Sequence, residues 1–237
     1  MYNNMPNPDA LAERASTRAT SVNRVYNFVY GWMSIALAIS GGIAWYMANV
    51  ATHLMTQNLL IGCAIAQIAL VLVLRFGFRK LSLPAIAGLF VAYAAYIGAT
   101  LSVFLAVYTT ESIYQAFFIT AGTFAGMALF GTVTRKDLST MGRMCIMALW
   151  GVIIMIVVNL FMGSSGLDYL ISLVVLAIFV GLTAYDAQNV RKLADAESRG
   201  EITTAEANRF GLILALELYL DVIILFETII QLLGDRK

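Results

Sequence analysis

The stretch GLTAYDAQNVRK, Gly181 to Lys192, closes a long apolar run with a tyrosine, an aspartate, two amides and two cations. Its reading decides the fold. The apolar residues from about 167 to 190 are enough to cross a bilayer as a helix, which takes about 20 residues. Arg191 and Lys192 then mark the end of that span on the cytoplasmic side, where basic residues accumulate. Asp186 lies inside the run, where a charge costs at least about 2.5–3.5 kcal/mol on insertion scales. A second carboxylate in the same predicament is Asp221, in LELYLDVIILFE (216–227).

Composition agrees with a membrane solvent. Of 237 residues, 60% are hydrophobic and 12% charged, with mean hydropathy +0.81. Soluble domains are nearer half apolar and a quarter charged. Seven apolar stretches are expected to be spans, at about 25–49, 58–77, 83–107, 112–134, 143–163, 167–190 and 208–233. All should be helices, because lipid cannot satisfy a bare backbone and no alternating barrel pattern is present. The expected architecture is one all-α domain over 25–237, preceded by a flexible cytoplasmic tail at 1–24. The longest connection, LADAESRGEITTAEANR, ends in a helix-start signal: Thr203 or Thr204 as cap with Glu206 in the first turn.

Orientation follows from charge. Thirteen of the fifteen Lys and Arg fall in the N-terminal tail and at the second, fourth and sixth connections. This places the N-terminus in the cytoplasm. Seven full spans then put the C-terminus outside, against the mild vote of Arg236 and Lys237; a shallow or re-entrant last segment would remove that conflict. The absence of a diffuse basic surface argues against nucleic acid as a partner. Cys63 and Cys145 read as small buried hydrophobes, and His53 as a surface residue. Gly122 and Gly126, four apart, suggest close helix packing inside the bundle, or more weakly a dimer face.

The acids carry the functional signal. If Asp186 and Asp221 meet, they cannot both ionise cheaply, and the pair is expected to share a proton near neutral pH. The same pair is a candidate calcium site, although calcium prefers six to eight oxygens and would need carbonyls, water or Asn189 as well. Counting along a helix, Asp186 is about 7–8 Å from Arg191 and Asp221 about 18 Å from Arg209. The depths agree only if the last helix starts outside the membrane. Glu217, one turn before Asp221, extends the acidic track as possible pore lining. Glu227 points elsewhere, and Asp168 and Glu111 sit at outer helix ends, where dipole or capping roles suit them. Arg75 and Arg79 are latch candidates for a carboxylate, or simply cytoplasmic anchors.

Two long segments carry a resemblance. FVGLTAYDAQNVRKL (179–193) and LELYLDVIILFETIIQLLG (216–234) resemble the last two helices of the transmembrane Bax inhibitor motif family. YQAFFITAGTFAGMALFGTVTRKDLSTMG (114–142) and NLFMGSSGLDYLIS (159–172) look like its bacterial members. The resemblance implies a seven-helix bundle with the seventh helix central, in a bacterial inner membrane. It also implies a pH-sensitive calcium leak with no cofactor, calcium being the permeant ion. Asp186 and Asp221 match its proton-sensing pair, and Arg75 or Arg79 its latching arginine. Glu217 and a longer sixth connection depart from the pattern.

Other functions stay open at this stage. Tyr185-Asp186 copies half of the intramembrane aspartyl protease signature, but the second half reads Leu-Tyr-Leu-Asp in place of Gly-x-Gly-Asp, so no enzyme is expected. GSSG (163–166) is not a serine-hydrolase motif and lacks a histidine partner. A modulator of a membrane protease or other membrane protein partners, without transport, is the main alternative. A proton-coupled transporter is another.

Overall fold

The structure is a computed structural model, and it describes residues 8–50 and 81–237. Six helices are described: α1 (Pro8–Asn49), α2 (Leu83–Val107), α3 (Thr110–Val133), α4 (Ser139–Met162), α5 (Ser165–Ser198) and α6 (Thr204–Leu233). No strand occurs among the described residues; the one β-bridge joins Tyr108 to Arg236. The expected span at 58–77, with Arg75, Arg79, His53 and Cys63, lies outside the described residues.

Five described helices are long and apolar enough to cross a membrane: Arg18–Asn49 within α1, then α2, α3, α4 and α5. α6 is longer than α2, α3 or α4, but Glu217, Asp221 and Glu227 interrupt its apolar body.

Two boundaries differ from the sequence expectation. α1 is helical from Pro8, so most of the segment read as a flexible tail has helical backbone. Proline suits a first helical position, and the alanines that follow favour helix. α5 runs on to Ser198, so the long polar connection shrinks to Arg199–Thr203. Gly200 ends it with a φ of +72°, a left-handed turn that glycine adopts without strain. The cap on α6 is as expected. Thr203 accepts from the Glu206 amide at 3.3 Å and the Glu206 carboxylate accepts from the Thr203 amide at 2.9 Å.

Lipid offers helices little hydrophobic reason to associate, so contact depends on close packing and small residues. The glycines show where. A Cβ on Gly131 of α3 would fall 2.0 Å from the Ala184 carbonyl oxygen of α5. One on Gly98 of α2 would meet the Ser40 carbonyl oxygen of α1 at 2.7 Å, and one on Gly142 of α4 the Tyr185 ring at 2.6 Å. Gly122 and Gly126 correct the expectation of internal packing. Both are exposed, with no atom within 4 Å of an added Cβ. Their spacing puts them on one face, but that face of α3 is turned outward, away from α5 and α6.

α6 packs against α1, α2, α3 and α5, and α4 packs on α5. Phe90 and Tyr93 of α2 meet the Tyr219 ring edge-to-face, with centroids 5.7 and 6.2 Å apart. The Tyr219 hydroxyl shares a 2.6 Å hydrogen bond with Ser40 of α1. The helix that carries the second aspartate is thereby keyed to its neighbours by a polar contact within an aromatic cluster.

Candidate functional site

One end of the bundle gathers most of the described basic residues, several of them in caps and ion pairs. Arg24 of α1 forms an ion pair with Glu197 near the end of α5 and donates to Asn208 near the start of α6 at 2.9 Å. Arg191 donates to the carbonyls of Thr132 and Thr134 at 2.7 and 2.8 Å, closing the C-terminus of α3. Gln188, fully buried, grips the connection that follows, accepting from the Leu138 amide at 2.9 Å and donating to the Lys136 carbonyl at 2.8 Å. Lys192 pairs with Asp137 at 2.7 Å on the surface. This contact holds the Asp137 carboxyl at about 2, below its usual range.

Arg24 brings Asn208 and Glu197 level, and that level fixes the depth of the carboxylates. From it, Asp186 lies eleven residues back along α5 and Asp221 thirteen residues on along α6, or about 17 and 20 Å. The mismatch suggested by Arg191 and Arg209 disappears, because both helices project beyond the apolar region.

The two aspartates stand on helices that pack against each other. Both are buried, with 7% and 2% exposure, and Asp186 acts electrostatically on Asp221. Glu217 acts on Asp221 as well, and the Thr183 hydroxyl, which donates to the Phe179 carbonyl at 2.8 Å, lies within hydrogen-bond reach of the Asp221 carboxyl. Asp221 Oδ2 is buried with no hydrogen-bond partner among the described residues. Asp186 accepts a long 3.4 Å contact from Asn189. Four side chains from two helices thus converge: Asp186 and Thr183 from α5, Asp221 and Glu217 from α6. A buried carboxylate oxygen left open costs free energy unless a proton or cation satisfies it. The arrangement offers two interacting positions for a proton. Among the described residues no group of three or more Asp, Glu, His or Cys side chains is placed to hold a metal ion.

Thr183 was missing from the sequence reading. It lies three residues before Asp186 on the same face of α5, so helical spacing from the aspartate was the available signal. Glu227 stands apart from the cluster, close enough to Tyr219 to act on it electrostatically. Tyr185, which gave the protease-like Tyr-Asp pair, has its ring against Gly142 of α4. Glu111 and Asp168 occupy the first turns of α3 and α5, as their sequence positions suggested. Asp168 also accepts a hydrogen bond from Asn159 of α4.

The C-terminus lies at the end opposite the basic residues. Thr109, between α2 and α3, donates its amide to the Asp235 carbonyl at 3.1 Å. Lys237 donates its amide to the Val107 carbonyl at 2.9 Å. The last two cations serve local contacts there: Arg236 sits over the Tyr108 ring, and Lys237 Nζ reaches the Leu105 carbonyl at 2.9 Å. α6 therefore runs the full depth of the described bundle, and no re-entrant turn is needed to explain the two charges.

Comparison with known proteins converges on one group. The family model described as "Inhibitor of apoptosis-promoting Bax1" matches residues 22–237. The inner membrane protein YbhL of Escherichia coli K12 is 39% identical over 213 residues, covering 88% of this chain and 90% of that protein. An uncharacterised protein of Deinococcus radiodurans is 37% identical over 231 residues, covering 96% and 98%. Another of Borreliella burgdorferi is 39% identical over 219 residues, covering 91% and 93%.

Proposed function

The chain belongs to the Bax inhibitor family of membrane proteins, and from that premise we propose that it is a pH-sensitive calcium leak channel. Its gate is the carboxylate pair Asp186 and Asp221. The observation that carries this reading is that both carboxylates are buried and Asp186 acts electrostatically on Asp221, with Asp221 Oδ2 left open among the described residues. With both carboxylates ionised, repulsion in a poorly hydrated place favours any counter-charge that holds them closed. Arg75 or Arg79 supplies that latch. Protonation removes its target and shifts the population towards an open bundle. Glu217 and Thr183 add oxygens along the path of a permeant cation, and calcium is the fitting class because it prefers oxygen ligands. No cofactor takes part.

The same reading makes the molecule a seven-helix bundle, with the apolar sequence at 58–77 as its second span and the α6 segment as a central seventh. Its contacts with four other described helices support that placement. The basic end faces the cytoplasm, together with the N-terminus. The test is calcium flux into liposomes holding purified protein, measured across pH. A pH-dependent flux that Asp186→Asn and Asp221→Asn flatten supports the gate. Absence of flux, with a membrane protease or other complex co-purifying stoichiometrically, supports a non-transporting modulator.

A further inference from the structure

α1 and α3 both pack on α6 but scarcely touch each other. The gap between them is a crevice of about 570 Å³, floored by Leu101 and Leu105 of α2 and by Val222, Ile223 and Phe226 of α6. It opens on the outside of the bundle, where Gly41 of α1 and Tyr114, Phe117 and Phe118 of α3 are exposed. Its walls are apolar almost throughout. Ser40 lines it, but its hydroxyl is engaged with the Ala36 and Ala94 carbonyls and with Tyr219. Thr120 also lines it, with a buried hydroxyl that lacks a partner among the described residues.

We propose that this crevice holds an acyl chain of a membrane phospholipid. Its mouth is continuous with the lipid-facing surface of an integral membrane protein, so the bilayer supplies the occupant at the highest concentration. Water gains little there, because the walls offer it too few polar partners. An empty volume of this size would forfeit dispersion contacts on every wall. The chain lies against α6 at Val222 and Ile223, immediately beyond Asp221, and keeps that side of the carboxylate dry. This assignment needs only the membrane location and stands independently of calcium transport.

The experiment uses phosphatidylglycerol–phosphatidylethanolamine vesicles containing a phospholipid with a photoactivatable diazirine on one acyl chain. Crosslinked residues are mapped by mass spectrometry. Leu101 and Ile223 should label several-fold above Ile178, although all three are similarly buried at 7, 5 and 6% exposure. Gly41→Leu should lower that labelling several-fold, since nothing lies within 4 Å of a Cβ at Gly41 and the new side chain enters the crevice. Unchanged helicity and unfolding temperature confirm that this variant folds. Labelling of Leu101 and Ile223 no higher than Ile178, with strong labelling of the outward Phe161, would overturn the proposal. So would labelling insensitive to Gly41→Leu.

Discussion

The acids at the basic end and the acids at mid-depth follow opposite rules. At the end, three acids have a cation: Glu197 has Arg24, Asp137 has Lys192 and Glu201 has Arg199. Deeper in, the charges acting on Asp221 among the described residues are those of two further acids, Asp186 and Glu217. Complementary pairs hold a geometry and stay charged over a wide pH range. Like-charged groups in a buried place hold their geometry only when a proton, a cation or a distant latch relieves them. The comparison separates scaffold from candidate switch, and substitutions can test it.

The largest contrast should come from the deep pair. Asp221→Asn is expected to flatten the pH dependence of liposome calcium flux, while Glu197→Gln leaves its shape intact. Next is the packing that brings α5 to α3. Gly131→Ala should destabilise the protein by about 1–3 kcal/mol, because the added methyl meets backbone that cannot swing aside. Gly122→Ala should stay within about 0.5 kcal/mol. Thermal unfolding of both in the same detergent compares them. Thr203→Ala should cost about 1 kcal/mol through loss of the capping box, read by the same assay.

The smallest effect belongs to Asp137. Its carboxyl titrates at about 2, lower than in an unfolded chain, so its contribution is complete above the usual carboxylate value and lost as pH falls towards about 2. Asp137→Asn should therefore change stability by a constant small amount between about pH 5 and 8 and leave the flux profile unmoved. A flux profile that shifts with Asp137→Asn would break the division between the two sets of acids.

Much of this was legible in the sequence because membrane spans are long and their physics is one-dimensional. Six of the seven expected spans coincide with described helices, α2 at the same boundaries of 83 and 107. Asp186 and Asp221 were legible because a carboxylate is conspicuous in an apolar run. Their depth was not. Arg191 and Arg209 suggested different planes, because the sequence does not say how far a helix continues past its apolar part. Ser198 and Thr204, and the Arg24 contacts, supply that information. The glycines were misjudged for a related reason. Spacing puts Gly122 and Gly126 on one face, but only the neighbouring helices decide that Gly131 is the point of close approach.

The central claim is that Asp186 and Asp221 behave as one interacting unit, and infrared titration of their carboxyl groups in bilayers tests it most directly. Wild-type protein and the Asp186→Asn and Asp221→Asn variants are compared across pH. The account predicts that removing either carboxyl shifts the titration of the other, by an amount that measures their coupling. If each remaining aspartate titrates as it does in the wild type, the two are independent, and the account is contradicted.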